Sequence, residues 1–515
     1  MKKYNVLLLS LFILFLIRTP LLSQSVVPDD FDEWIETGME MWEIPGMAIA
    51  IVKNGEIAYT KGFGIKKLGS DERVDEHTQF GIASVSKHIT AMSLGLLVDQ
   101  GLIDWKDPVR DYLPWFELSD PWATSNVTIH DLLTHQVGVG RMLGNRLQFM
   151  TDRSRFEMLH RMRYHDFEEP FRSEYVYSNV MYTLAGEIVA AVSGRDWDDF
   201  ISAMMFDKLG MNRTNSSILD LDESNAAWPH QYINGEVVPI PRRNWDNAAP
   251  AGGVNSTAAD MAKWMVMQLN GGEVEGTRII SQPTLNDIQT AKISLPNANV
   301  NAPLVSYGYG YRITDFRGQR ILLHDGATDG MNTNYMILPQ HGFGVIVMTN
   351  TFNTFMNAVS YHLIDHMLGA SDQDWKSLFH EAYTVQFEQI KSLRDEFDKT
   401  RLEGTVPSHS LNQFTGRYEN DLYDSVVISH EDGKLMLTLF HDDQLKAELE
   451  HWHHNTFRIV WENRALREEF MQFHLDYNGN IDKLEIRFAL RPMMLQVGAY
   501  PSDYYRDVTF IKSIY

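Results

Sequence analysis

The stretch Phe80-Gly81-Ile82-Ala83-Ser84-Val85-Ser86-Lys87 sits between a β-rich region and a long amphipathic segment. Val85, Ile89, Met92, Leu96 and Leu97 recur at helical spacing, and Gly101 suits a C-terminal cap. Ser84 and Lys87, three apart, share one face of the helix start. Backbone N–H groups point outward there, which favours an oxyanion formed when a serine attacks a carbonyl. A nearby lysine whose pKa is lowered by burial can take the serine's proton. By itself the spacing is weak, because Ser-x-x-Lys arises by chance roughly once in a chain of this length.

Outward from this stretch, the sequence predicts strands first, helices in the middle and strands last. Gly46 to Thr60 reads as a hairpin around Asn54-Gly55. Asp131 to Gly210 is mainly helical, with loops at 138–144 and 168–174, and Ala259 to Asn270 is a further helix. Tyr307 to Ile313, Arg320 to His324, Thr333 to Leu338 and Gly344 to Thr349 read as strands. This order predicts an α+β fold, an antiparallel sheet flanked by helices with a mainly helical subdomain. Asp372 to Arg401 reads as a charged amphipathic helix, with Leu378, Tyr383, Phe387, Ile390, Leu393 and Phe397 on its apolar side. Beyond residue 408, short alternating runs split at Asp432-Gly433, Asn478-Gly479 and Pro501-Ser502 predict a small all-β barrel.

The chain has 515 residues, 44% hydrophobic and 22% charged, which indicates several globular domains. Cysteine is absent, which excludes disulfides, thiolate metal sites and cysteine nucleophiles. Lys2 and Lys3, then an apolar run Val6 to Ile17 and Ser23-Gln24-Ser25, read as a secretory signal over residues 1–25. That implies a periplasmic or secreted protein with no stable membrane span once the signal is removed. The formal charge of −23 becomes −26 when the signal's three basic residues are lost, which argues against nucleic acid as a partner. His451-Trp452-His453-His454 is read as a partly exposed strand, not a metal site. Asp476 to Asp482 is read as an Asn-Gly hairpin, because it lacks the sixth-position glycine and twelfth-position glutamate of a calcium loop.

Farther along come Tyr177-Ser178-Asn179 and His324-Asp325-Gly326. With Ser84-Val85-Ser86-Lys87 and the stretches 97–101, 105–109, 127–135, 177–182 and 251–257, they resemble the serine β-lactamase and D,D-peptidase superfamily in its class C-like branch, over roughly residues 30 to 365. The segment after residue 405 is similar to the lipocalin-like barrels that follow some hydrolase domains of that branch. The expected organisation is a hydrolase domain at 29–370, a helical connector at 371–405 and a β-domain at 406–515. The resemblance implies Ser84 as acylated nucleophile, Lys87 and Tyr177 in proton transfer, and Asn179, His324, Asp325, Gly326 and Ala327 in substrate binding. The N–H groups of Ser84 and Ala327 would form the oxyanion hole. It leaves open whether Lys87 or Tyr177 is the base.

Many relatives carry Lys-Thr-Gly where this chain has His-Asp-Gly. Asp325 would disfavour β-lactams and free carboxylates, or else it points away into a turn with Thr328 and Asp329. The expected activity is therefore a peptidase or esterase acting on peptides containing D-amino acids, or on related small amides and esters. The alternatives are a true β-lactamase or D,D-carboxypeptidase, and a catalytically silent peptide-binding protein. The resemblance implies no metal or organic cofactor and a small-molecule or peptide substrate. It leaves the oligomeric state open.

Overall fold

The computed structural model describes residues 25–513 apart from 140–146, 149–150, 152, 234, 296–303, 371–372, 440–444, 467–468 and 490–504. The signal-like stretch up to residue 24, most of the loop expected at 138–144, and the Pro501-Ser502 turn lie outside the described residues.

Eight strands form one antiparallel sheet: β1 (Gly46–Lys53), β2 (Glu56–Gly64), β3 (Ile293–Ser294), β4 (Val305–Tyr307), β5 (Arg312–Phe316), β6 (Gln319–Thr328), β7 (Met331–Leu338) and β8 (Phe343–Thr349). Their order is β2-β1-β8-β7-β6-β5-β4-β3. The Asn54-Gly55 turn joins β1 to β2 with φ of 55° and 76°, the left-handed pair a tight two-residue hairpin needs. The hairpin's second strand runs on to Gly64, four residues past the expected end.

All seven residues of β8 are buried, so neither face of the sheet centre meets water. One face carries Ile49, Ile51, Val345 and Val347 against α1 (Phe31–Met41) and the late helix Phe355–Leu368. The other carries Ala48, Ala50, Ile346 and Met348 against the helical region inserted between β2 and β3. In that region α2 (Ser86–Asp99) is buried on every side from Ser86 to Leu97. It is a central pillar, enclosed by the sheet and the surrounding helices together.

The connector helix spans Trp375–Asp398 and bridges two cores. Near its start Trp375 and Phe379 stack on Tyr361, with ring centroids 5.1 and 6.0 Å apart. At its end Phe397 packs 4.8 Å from Phe470. Leu378, assigned to the apolar side, is instead 47% exposed, and Phe379 takes the inward position. Eight strands between Gly416 and Lys512 then close into an antiparallel barrel. The barrel docks on the helical region through Asp424, whose carboxylate accepts from Arg153 at 3.2 Å and Arg161 at 3.3 Å. His451 lies on a barrel strand with its Nε2 turned to the His454 carbonyl. Asp476 accepts from the backbone of Asn478 and Asn480, as an Asn-Gly hairpin requires.

Among the described residues, no helix is long and apolar enough to cross a membrane, and no group of three acidic or histidine side chains stands at metal-binding distance.

Candidate active site

Ser84 lies on a single 3₁₀ turn, Ala83–Val85, that leads directly into α2. The residue before it, Ala83, has φ +48°, a left-handed conformation that costs a β-carbon-bearing residue energy. The surroundings impose it. Ser86 Oγ donates to the Ala83 carbonyl at 2.6 Å and accepts from Val254 N–H at 3.2 Å, while Ile82 N–H donates to the Val254 carbonyl at 2.9 Å. Ser86, the interior serine of the motif, is thus the clamp, and Ser84 is left half-exposed in the cleft.

The structure brings Ser84, Lys87, Tyr177 and Asn179 together. Tyr177 OH donates to Ser84 Oγ at 2.8 Å, and Lys87 Nζ lies 3.2 Å from the same oxygen. Lys87 also donates to Asn179 Oδ1 at 2.6 Å and to the Ala251 carbonyl at 2.7 Å. The middle residue of Tyr177-Ser178-Asn179 caps the helix Asn179–Ser193 by accepting from Met181 N–H, which places Asn179 on the first turn facing Lys87. Complete burial holds the Lys87 amine well below the usual ammonium range. Burial, reinforced by Tyr175, pushes the Tyr177 phenol above its ordinary value against the opposing influence of Arg312. That keeps the Tyr177 proton available for the hydrogen bond it donates to Ser84 Oγ.

His324 stands beside this group, its ring 6.3 Å from that of Tyr177, but both its nitrogens are occupied. Nδ1 faces the Asp325 carbonyl at 2.8 Å and Nε2 faces Tyr307 OH at 3.1 Å. Tyr307 in turn meets His135 Nε2 at 3.3 Å, and His135 Nδ1 accepts from Ser178 N–H at 3.1 Å. The end groups fix every proton. A carbonyl only accepts, so His324 carries its proton on Nδ1, and an N–H only donates, so His135 carries its proton on Nε2. Burial, with the Arg312 charge nearby, holds both imidazoles well below their usual range, so His324 supplies no cation.

Asp325 faces the opposite side of β6, where its Oδ1 accepts from Asn334 at 2.6 Å. Its other oxygen is 4.0 Å from Arg312 Nη1. Asp329 pairs with Arg243 instead of closing a turn with Asp325. Gly326 has a packing reason of its own, since a Cβ there would meet the Ile82 carbonyl oxygen at 2.1 Å. Ala327 lines the Ser84 cleft with Thr328. The β5–β6 pairing ends at Arg312↔Leu323, so among the described residues no strand pairs with that edge of β6 from His324 to Thr328.

Sequence reasoning missed His135, Tyr307, Arg312 and the Ala251 carbonyl. His135 and Ala251 fall in the stretches that carry the family resemblance. Tyr307 opens Tyr307-Gly308-Tyr309-Gly310-Tyr311, whose alternation of aromatic and glycine was the available signal.

Residues 31–366 match the β-lactamase family, and residues 400–497 match a domain of unknown function, DUF3471. The chain is 28% identical over 429 residues to the unguisins hydrolase ungD' of Aspergillus campestris, covering 79% of each chain. It is 23% identical over 375 residues to the protein flp of Staphylococcus aureus, covering 71% of this chain and 70% of that one. Its fold is similar to that of the octameric penicillin-binding protein homologue from Pyrococcus abyssi, with a TM-score of 0.60 and 21% identity, covering 93% of this chain and 99% of that chain. A serine hydrogen-bonded to a buried lysine and a tyrosine, beside an antiparallel sheet, lies within a matched region that takes in most of the chain: the chain belongs to the β-lactamase family.

Proposed function

We propose that the protein is a serine hydrolase that cleaves amides or esters through an acyl-enzyme on Ser84, acting on peptides containing D-amino acids or on related small amides and esters. The observation that carries this reading is the position of Ser84 Oγ, 2.8 Å from Tyr177 OH and 3.2 Å from Lys87 Nζ. A neutral Lys87 spends its two N–H bonds on Asn179 Oδ1 and the Ala251 carbonyl, and its lone pair then faces the Ser84 hydroxyl. Lys87 is accordingly the base that takes the serine proton as the Oγ–carbon bond forms. The substrate carbonyl oxygen gains the negative charge, next to the N–H groups of Ser84 and Ala327. As the scissile bond breaks, Tyr177 OH protonates the leaving group, and the proton on Lys87 restores Tyr177. Water then repeats the sequence in reverse and frees the acid.

A neutral His324 and the absence of a lysine from the third element favour peptidase or esterase over β-lactamase chemistry. The name of the hydrolase from Aspergillus campestris supports hydrolysis in general. The signal-like N-terminus supports a periplasmic or secreted location.

A fluorescent phosphonate should label the protein, and Ser84→Ala should abolish labelling. Turnover of a panel of D-amino-acid amides, p-nitrophenyl esters and nitrocefin should favour the first two. Absence of a Ser84-dependent adduct with every acyl-enzyme probe would refute the reading and leave a silent binding protein.

A further inference from the structure

His135 holds Tyr177 from both sides. It follows the short helix Ile129–Leu133 and has φ +59°, a left-handed conformation that costs a β-carbon-bearing residue energy. From there its carbonyl accepts from Val176 N–H at 2.8 Å, and its Nδ1 accepts from Ser178 N–H at 3.1 Å. These are the N–H groups of the residues on either side of Tyr177. Residues 175–178 belong to no helix or strand, so no ladder of backbone bonds fixes them. The His135 ring also lies against the Tyr177 ring, with centroids 4.4 Å apart.

That ring is itself anchored. His135 Nε2–H donates to Tyr307 OH at 3.3 Å, and Tyr307 OH donates to His324 Nε2 at 3.1 Å. His324 stands on β6, which pairs with β7 from Leu322 to Thr328. β6 is therefore the fixed side, and the segment carrying Tyr177 is the held side. His135, Tyr307 and His324 are all buried. Without the Tyr307 hydroxyl, one buried imidazole N–H and one buried imidazole lone pair would be left unpaired. Turning the His135 ring relieves that penalty and gives up the Ser178 N–H.

Resting on the role given above to Tyr177 as proton donor to the leaving group, we propose that Tyr307 is a positioning residue. Its hydroxyl ties His135 to β6 and so keeps Tyr177 OH aimed at the departing atom beside Ser84. The hydroxyl is spent on the two imidazoles, so Tyr307 acts through Tyr177.

The test uses the full-length protein and two substrates, read as kcat/KM. The leaving amine of D-alanine p-nitroanilide needs a proton, whereas the phenolate of p-nitrophenyl acetate departs without one. Tyr307→Phe keeps the ring that packs on His135 and His324, so the variant should fold. It should lower kcat/KM on the anilide by roughly 10²-fold, the effect of a small misplacement. It should leave the ester within about threefold of the parent, since that reaction does not draw on general-acid catalysis. His135→Asn tolerates the left-handed backbone and keeps an oxygen for Ser178 N–H, but it does not reach Tyr307. It should reproduce the anilide-selective loss, and the double variant should be no worse than the poorer single, because both cut the same link. Tyr177→Phe is the reference and should show the same selectivity. If it does while Tyr307→Phe loses both activities equally or neither, the positioning role alone is overturned. Equal losses in Tyr177→Phe would overturn the role of Tyr177 and the tether with it. Reaction that survives Ser84→Ala would overturn the reading of Ser84. A second measurement needs no turnover: in protein labelled with 15N-histidine, the ring shifts should place the proton of His324 on Nδ1 and that of His135 on Nε2. Other tautomers would overturn the tether whatever the kinetics, and where the parent turns over neither substrate this result decides alone.

Discussion

A Cβ on Gly326 would stand 2.1 Å from the carbonyl oxygen of Ile82, two residues before Ser84. The third motif and the turn bearing the serine are therefore in backbone-to-backbone contact, and that contact sets the width of the cleft. Neither partner can yield as a side chain would. Gly326→Ala should cost about 1–3 kcal/mol of stability, as overpacking does, and should lower kcat/KM more than tenfold in the protein that remains folded. Denaturant unfolding together with steady-state kinetics checks both. A fully active, equally stable variant would show that the contact is not binding.

Lys87 can serve as base only if it can lose its proton. Lys87→Arg keeps a positive charge that cannot be removed near neutrality. It should lower kcat/KM by roughly 10²–10⁴-fold, the range of general-base catalysis. In the parent protein, the rising limb of kcat/KM against pH should lie well below the ordinary lysine range, because burial depresses Lys87. A rising limb near pH 10 would contradict that assignment.

His88 follows Lys87 on α2, fully buried, and among the described residues neither ring nitrogen has a hydrogen-bond partner. It is packed between Tyr311, Tyr335 and Trp264, with ring centroids 5.0, 4.7 and 5.7 Å away. Burial lowers it to about 3 from the ordinary 6.5. Between those values the unfolded chain binds a proton that the folded chain refuses, so stability falls as pH falls, at up to about 1.4 kcal/mol per pH unit for this group. His88→Phe should remove one proton's worth of that slope between pH 6 and 4. Urea unfolding at several pH values reads it, and an unchanged slope would rule out His88 as a contributor.

Asp424 joins the barrel to the helical region from a left-handed backbone, φ +82°. Asp424→Asn tolerates that conformation but gives up the charge shared with Arg153 and Arg161. Arg153, 12% exposed, would lose its carboxylate partner. The variant should lose about 1–3 kcal/mol of docking energy, the worth of hydrogen bonds to a charged group. Calorimetry should then show the barrel melting apart from the rest, and one unchanged transition would argue against the latch.

The elements that could be read in advance are local ones. Ser84-Val85-Ser86-Lys87, Tyr177-Ser178-Asn179 and His324-Asp325-Gly326 carry their spacing within a few residues, and Asn54-Gly55 forces its own turn. What escaped depends on distant neighbours. The chain Ser178–His135–Tyr307–His324 draws on four separate segments, and no periodicity couples them. Asp325 could be placed on a strand but not on a face, because the face depends on register with Asn334. Leu378 and Phe379 differ by one position on a helix with apolar residues around much of its circumference, so spacing could not choose between them.

The order of the sheet also governs how the chain acquires it. Met47 in β1 pairs with Thr349 in β8, and the whole helical region lies between them in sequence. On the ribosome, the apolar strand Met47–Val52 can form its hairpin with β2 at once, but its other edge has no partner until the segment around Thr349 has been synthesised. For that interval the strand is an open edge able to pair with another nascent chain, so the order of synthesis leaves this edge exposed until the closing strand arrives.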